Sequence, residues 1–205
     1  MQNSLLFPSR NKLIFAGILL AVATLIAGVV FTLERDIPKS SGTALIGGPF
    51  TLINQKGETV TEKSLLGHYS LVFFGFTSCP DVCPTELQVM AAALNAMGTT
   101  GEKITPVFVS VDPERDTPAV LASYVTNFHP RLQGLTGTPG QVAAMAKAYH
   151  VYYKKVPDAK DPQNYQMEHS AIIFVMGPQG EFVTHFTYST DAKELADSLK
   201  KVLHT

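Results

Sequence analysis

The chain is 205 residues long, 45% hydrophobic and nearly balanced in charge, with 16 Lys and Arg against 17 Asp and Glu. It carries no basic block, which excludes nucleic acid as a partner. Only two cysteines are present, Cys79 and Cys83, so thiol or soft-metal chemistry has one place to reside.

Residues 1–12 form a short tail holding Arg10 and Lys12, ahead of an uncharged apolar run from Leu13 to Leu33. As a helix rising about 1.5 Å per residue, residues 13–33 would be about 31 Å long, the thickness of a bilayer core, and they are predicted to be a transmembrane anchor. Glu34, Arg35 and Asp36 follow, so the positive-inside rule keeps the tail cytoplasmic and places the remainder outside. A cleavable signal peptide is the alternative, but its apolar core is typically only about 7–15 residues. Thr32-Leu33-Glu34 also makes a poor cleavage site. With no Ser/Arg-rich presequence ahead of the anchor, the expected location is the bacterial inner membrane, with the C-terminal domain in the periplasm. Residues 34–48 contain Pro, Ser and Gly without a sustained period and read as a tether to one domain, 49–205.

Within that domain, Pro49 to Ile53 and Thr59 to Thr61 predict a hairpin, followed by a helical turn around Lys63 to Leu66. Leu71 to Phe76 reads as a buried strand leading into the cysteines, and Thr85 to Met97 as a helix. Ile104 to Val111 is a second buried strand. Thr117-Pro118 then supplies an N-cap and an N1 proline for a helix to about Phe128. A short strand near Leu132 to Leu135, a helix after Pro139 and a strand at Val151 to Val156 follow. Asp158 to Gln166 reads as a polar loop. Ala171 to Met176 and Phe182 to Phe186 pair across a turn at Gly177 to Gly180, and Asp191 to Leu203 closes the chain as an amphipathic helix. Strands alternating with helices describe an α/β domain with a mixed central sheet.

The cysteines fall at a strand-to-helix junction. Pro84 is tolerated only in a helix's first turn, so the helix should start near Pro80 or Asp81, with Cys79 at its edge and Cys83 in its opening turn. Residues four apart share a helix face, so both sulfurs can converge, and the helix N-terminus favours the thiolate. Three readings fit this geometry: a soft-metal site, a thiol-disulfide oxidoreductase, and a structural disulfide in an oxidising compartment.

Four segments taken together resemble the Sco/SenC proteins, membrane-anchored copper chaperones of cytochrome c oxidase with a thioredoxin-like fold. They are FGFTSCPDVCPTEL from Phe74 to Leu87, VSVDPERDTP from Val109 to Pro118, LTGTP from Leu135 to Pro139, and YQMEHSAIIFVMGPQGEF from Tyr165 to Phe182. The resemblance implies a thioredoxin-like domain, a central mixed sheet flanked by helices. It also implies copper ligands at Cys79, Cys83 and His169, with no catalytic turnover required. The implied partners are the copper-bearing subunit of cytochrome c oxidase or another copper chaperone, together with the membrane. Two thiolates and an imidazole form a soft set suited to Cu(I) that also holds Cu(II). In a thioredoxin-like fold the segment entering the hairpin strand packs beside the cysteine helix, where a cis-proline usually stands. Here Glu168-His169-Ser170 occupies that segment, so the imidazole is expected to reach the sulfurs.

The remaining candidates have plainer readings. His68, His129, His150, His185 and His204 are expected on the surface or satisfied in the core, and Met167 in packing. Asp81 is explained by its place in the first helical turn and is left out of the ligand set. Asp112, Arg115 and Asp116, clustered after a central strand, are expected to cap and pair locally.

Overall fold

The structure, a computed structural model, describes Val22 and residues 45–158 and 165–204. The expected tail, the membrane helix apart from Val22, and the tether through residue 44 lie outside the described residues. Among the described residues no helix is long and apolar enough to cross a membrane.

Strands β1 (Thr51–Asn54) and β2 (Thr59–Thr61) form the expected hairpin, paired antiparallel. Asn54 Oδ1 accepts from the amides of Lys56 and Glu58, which closes the turn. A 3-10 turn, Glu62–Leu65, leads into β3 (Tyr69–Gly75), in which every residue after Tyr69 is buried. Burial on both faces explains why β3 reads as an apolar run and shows no alternation. Helix α1 (Val82–Ala96) starts one residue after the expected Asp81, which becomes its N-cap.

Strand β4 (Ile104–Ser110) and helix α2 (Pro118–Val125) follow, with the Thr117 side chain accepting from the Val120 amide. Helix α2 stops short of Phe128. Thr126 Oγ1 and Asn127 Nδ2 both donate to the Ser123 carbonyl, and the Asn127 amide turns to Tyr124 O at 3.2 Å, so the helical ladder ends there. Strand β5 (Gln133–Thr136) precedes α3 (Pro139–Ala148), where Thr138 and Gln141 form a capping box. Next come β6 (Tyr153–Pro157), β7 (Tyr165–His169), β8 (Ile172–Met176), β9 (Phe182–Thr187) and α4 (Ala192–Leu203).

Seven strands form one sheet in the order β2-β1-β5-β4-β3-β8-β9. Strand β3 runs parallel to β4 and antiparallel to β8, and β4 runs parallel to β5, so the sheet is mixed as expected. Successive strand residues face opposite ways, which gives the sheet two packed sides. Phe74 meets Tyr149, just past α3, at 5.3 Å between ring centroids. Phe73 meets Phe108 at 6.4 Å, and Phe108 meets Tyr124 of α2 at 5.4 Å. Helix α1 covers the Phe73 side and packs on α4.

Strand β7 departs from the sequence reading. The loop expected over Asp158 to Gln166 gives way at Tyr165 to a strand that pairs antiparallel with β6, matching Tyr153 with His169 and Lys155 with Met167. Residues 159–164 lie outside the described residues. The ribbon β6-β7 is a separate two-stranded sheet. Met167 is buried between exposed Gln166 and Glu168, the alternation of a half-buried strand compressed into five residues.

Candidate metal centre

Strand β3 ends at Gly75, whose carbonyl accepts from the Val111 amide at 2.8 Å, so β4 fixes the point where the chain leaves the sheet. Four residues later the Cys79 amide bonds back to Phe76 O at 3.3 Å, forming a tight loop ahead of α1. Thr77 holds this loop in place. Its amide donates to Asp116 Oδ2 at 3.0 Å and its hydroxyl to Asp116 Oδ1 at 2.6 Å, while Ser110 Oγ donates to the same carboxylate at 2.6 Å. Burial pushes the Asp116 carboxyl up from its ordinary value, against these hydrogen bonds, which favour the charged form.

Cys79 and Cys83 stand one helical turn apart, as the spacing predicts. The Cys83 amide, unpaired within the helix, donates to Cys79 Sγ at 3.4 Å. Cys83 is fully buried, and its sulfur occupies space left by Gly75, whose missing Cβ would stand 2.7 Å from Sγ. His169 approaches from β7. Its Nε2 lies 3.3 Å from Cys83 Sγ, and its Nδ1 lies 3.2 Å from Ser170 O. A carbonyl only accepts, so Nδ1 donates to it, and Nε2 is the ring nitrogen that faces the sulfurs. Phe73 and Phe76 hold the imidazole edge-to-face, at 6.1 and 5.9 Å.

The ligating atoms of Cys79, Cys83 and His169 all lie within 4.8 Å of one another, and among the described residues no other group of His, Cys, Asp and Glu meets that condition. Two donors each about 2.3 Å from one ion stand at most about 4.6 Å apart, so an adjustment of a few tenths of an ångström brings all three atoms onto a single ion.

The two cysteines are not equivalent. The Cys83 side chain hydrogen-bonds Cys79 and, with smaller help from His169 and the Cys83 amide, draws the Cys79 thiol down to about 4 despite burial. The same contact, reinforced by burial, pushes Cys83 far up. Without metal, the pair is one thiolate accepting from one thiol. The helix N-terminus was expected to favour thiolate at both positions, and it does so at one, because Cys83 is buried beside a charge already present.

Several other expectations hold. His68, His150, His185 and His204 are exposed, and His129 is buried with Nδ1 accepting from the Arg131 amide at 3.2 Å. Met167 packs in the core, and exposed Asp81 caps α1 through its backbone. The Asp112, Arg115 and Asp116 cluster does more than expected. Arg115 Nε donates to Asp112 locally, but Asp116 grips the cysteine loop and Arg115 Nη1 reaches Tyr165 O at 3.0 Å. Gly75 was also missed as a site residue, although a glycine inside an otherwise bulky apolar strand marks a close approach by another group.

The sequence profile of the SCO1/SenC family matches residues 38–204. An SCO1 homologue from mitochondria of Arabidopsis thaliana is 44% identical over 163 residues, covering 79% of this chain and 48% of the relative. The mitochondrial SCO1 homologue of Homo sapiens is 43% identical over 169 residues, covering 82% and 56%. The chain thus spans about half the length of these relatives. A solved structure of Bradyrhizobium japonicum ScoI with copper bound superposes with a TM-score of 0.71 at 47% identity, covering 76% of this chain and 98% of that one. Sequence and architecture agree, and the chain belongs to the SCO1/SenC family, with its thioredoxin-like fold.

Proposed function

We propose that this protein is a copper-binding metallochaperone that delivers copper for assembly of the copper centre of cytochrome c oxidase. The observation that carries the reading is the convergence of Cys79, Cys83 and His169 within 4.8 Å. Two sulfurs and an imidazole nitrogen match the softness of copper, and the copper-bound Bradyrhizobium japonicum relative supports the assignment. Copper is cargo here, so the residues hold and release it without turnover. Cys79 offers a thiolate at once, Cys83 must release a proton to become a ligand, and His169 presents Nε2 of its imidazole. The partners in this reading are the copper-bearing oxidase subunit and, upstream, another copper chaperone.

Residues 13–33 anchor the chain in the bacterial inner membrane and place the domain in the periplasm, near its client. Protease added to spheroplasts should then release a soluble fragment by cutting within residues 34–48. Protection of that stretch would overturn the topology.

Copper titration of the reduced full-length chain in detergent tests the central claim. Uptake of one copper per chain, lost on oxidation of the cysteines, is expected, and transfer to a soluble copper-binding fragment of the oxidase should follow. Equal affinity in the oxidised and reduced states would exclude the cysteines as ligands.

The asymmetry of the thiols favours a second reading, a thiol-disulfide oxidoreductase that keeps client cysteines reduced. A half-buried thiolate at Cys79 beside a buried thiol at Cys83 is the arrangement of an attacking and a resolving cysteine. Reduction of a disulfide in the same oxidase fragment by copper-free protein would support it.

A further inference from the structure

Fifty residues of sequence separate Arg115 from Tyr165, yet the two are in direct contact. The Arg115 guanidinium carbon lies 3.8 Å from the centroid of the Tyr165 ring, and the Lys155 ammonium lies 4.1 Å from that centroid. Lys155 is in turn paired with Glu114 at 2.8 Å. Tyr165 Oη donates to Asp112 Oδ1 at 2.8 Å, Arg115 Nε donates to the other oxygen of Asp112, and Arg115 Nη1 donates to the Tyr165 carbonyl. Asp112 is buried, so its carboxylate depends on these donors in place of water. The loop after β4 therefore grips the first residue of β7 by its ring, its hydroxyl and its backbone.

The grip bears on the site in two ways. Tyr165 begins the strand that His169 ends, so fixing one end of this five-residue segment sets the reach of the other. The Arg115 guanidinium also lies 5.9 Å from the Phe76 ring, and Phe76 is one of the two aromatics against the His169 imidazole. Meanwhile Asp116, in the same loop, holds Thr77 beside the cysteines. One short loop thus touches both ligand-bearing segments.

We infer that Arg115 and Tyr165 are positioning residues for His169, forming with Asp112 a clamp that holds the imidazole at the two sulfurs. The inference rests on the copper reading of the site and adds to it which residues decide whether the third ligand is in place. Neither residue touches the ion. A planar guanidinium that stacks on a ring and donates along two edges is required, and a lysine cannot supply it.

The test compares wild type with Arg115→Gln, Tyr165→Leu and the milder Tyr165→Phe, all full length. In the copper-free proteins, hydrogen exchange of the Gln166 and Glu168 amides, which the register turns toward β6, should be at least tenfold faster in the first two variants and near wild type in Tyr165→Phe, which keeps the ring and carbonyl contacts. Unchanged exchange in Arg115→Gln and Tyr165→Leu overturns the clamp whether or not copper binds. With copper, Cu(I) stoichiometry should be kept, because both sulfurs remain. The Cu(II) thiolate absorption and electron paramagnetic resonance signal should shift toward those of His169→Ala in the same two variants, with Tyr165→Phe retaining the native spectrum. A wild-type Cu(II) spectrum in Arg115→Gln and Tyr165→Leu removes these residues from the site. Absence of copper uptake by wild type would instead sink the copper reading, leaving the exchange result to stand alone.

Discussion

The sulfur of Cys83 occupies the place where Gly75 has no side chain. A Cβ at Gly75 would stand 2.7 Å from Sγ and 2.8 Å from the ring of Phe108, so the last residue of β3 and the first turn of α1 fit together only because one of them is glycine.

Gly75→Ala should therefore displace a proposed ligand without changing any ligand. The displacement should cost about 1–3 kcal/mol of stability, typical of overpacking a tight core, and should weaken copper affinity at least tenfold. Denaturant unfolding and competition against a copper chelator read the two effects. Native affinity in a folded Gly75→Ala protein would show that the sulfur does not need this space.

Thiol reactivity should separate the cysteines. With its thiolate stabilised down to about 4, Cys79 should react with iodoacetamide at a rate that falls only as the pH drops through that value. An ordinary thiol loses reactivity below about 8.5. Cys83, protonated and buried, should remain unmodified. Peptide mapping after brief alkylation distinguishes the sites, and an inflection near the ordinary thiol value would refute the assigned asymmetry.

Glu86 makes stability depend on pH. It is 1% exposed, neither carboxyl oxygen has a hydrogen-bond partner, and burial lifts it from 4.5 to about 7. The folded chain binds this proton more tightly than the unfolded chain. The contribution is therefore full below pH 4.5 and lost as the pH rises through about 7. Glu86→Leu should be about 1–3 kcal/mol more stable than wild type at alkaline pH, with the gap closing in acid. Urea midpoints across that range check it, and a gap independent of pH would mean that Glu86 does not titrate in the fold.

His169→Ala separates the two functional readings. Copper held as Cu(II) loses a ligand, so its thiolate absorption should shift or vanish, while Cu(I), content with two thiolates, should suffer less. Thiol-disulfide exchange should continue at a reduced rate, because the Cys83 contact and amide still favour the Cys79 thiolate. Unchanged Cu(II) spectra would take His169 out of the site.

Local signals made most of the architecture readable. Thr117-Pro118 and Thr138-Pro139 start helices because a cap and a proline act within one turn, and β3 is apolar throughout because it is buried on both faces. The three donors were legible through the resemblance of the segments that hold them. Strand β7 was not legible, since its period is compressed into five residues and its partner β6 lies beyond a polar stretch. The protonation of Cys83 was not legible either, because it depends on depth and on the charge of its neighbour. Glu86 had left a trace, lying three residues after Cys83 and four before Met90 on one helix face. The grip of Arg115 on Tyr165 had left none, for nothing local ties residues so far apart.

The donor cluster is built on two supports of unequal strength. Cys79 and Cys83 are carried between the seven-stranded sheet and α1, whereas His169 ends a ribbon whose ladder joins only β6 to β7. A two-stranded ladder opens far more readily than a packed sheet. Once the grip of Arg115 on Tyr165 is released, the proposed delivery is expected to lose the nitrogen before either sulfur. On the proposed delivery function, an acceptor arriving at that side would meet an ion still held by two thiolates, and hand-over would proceed by exchange of one bond at a time.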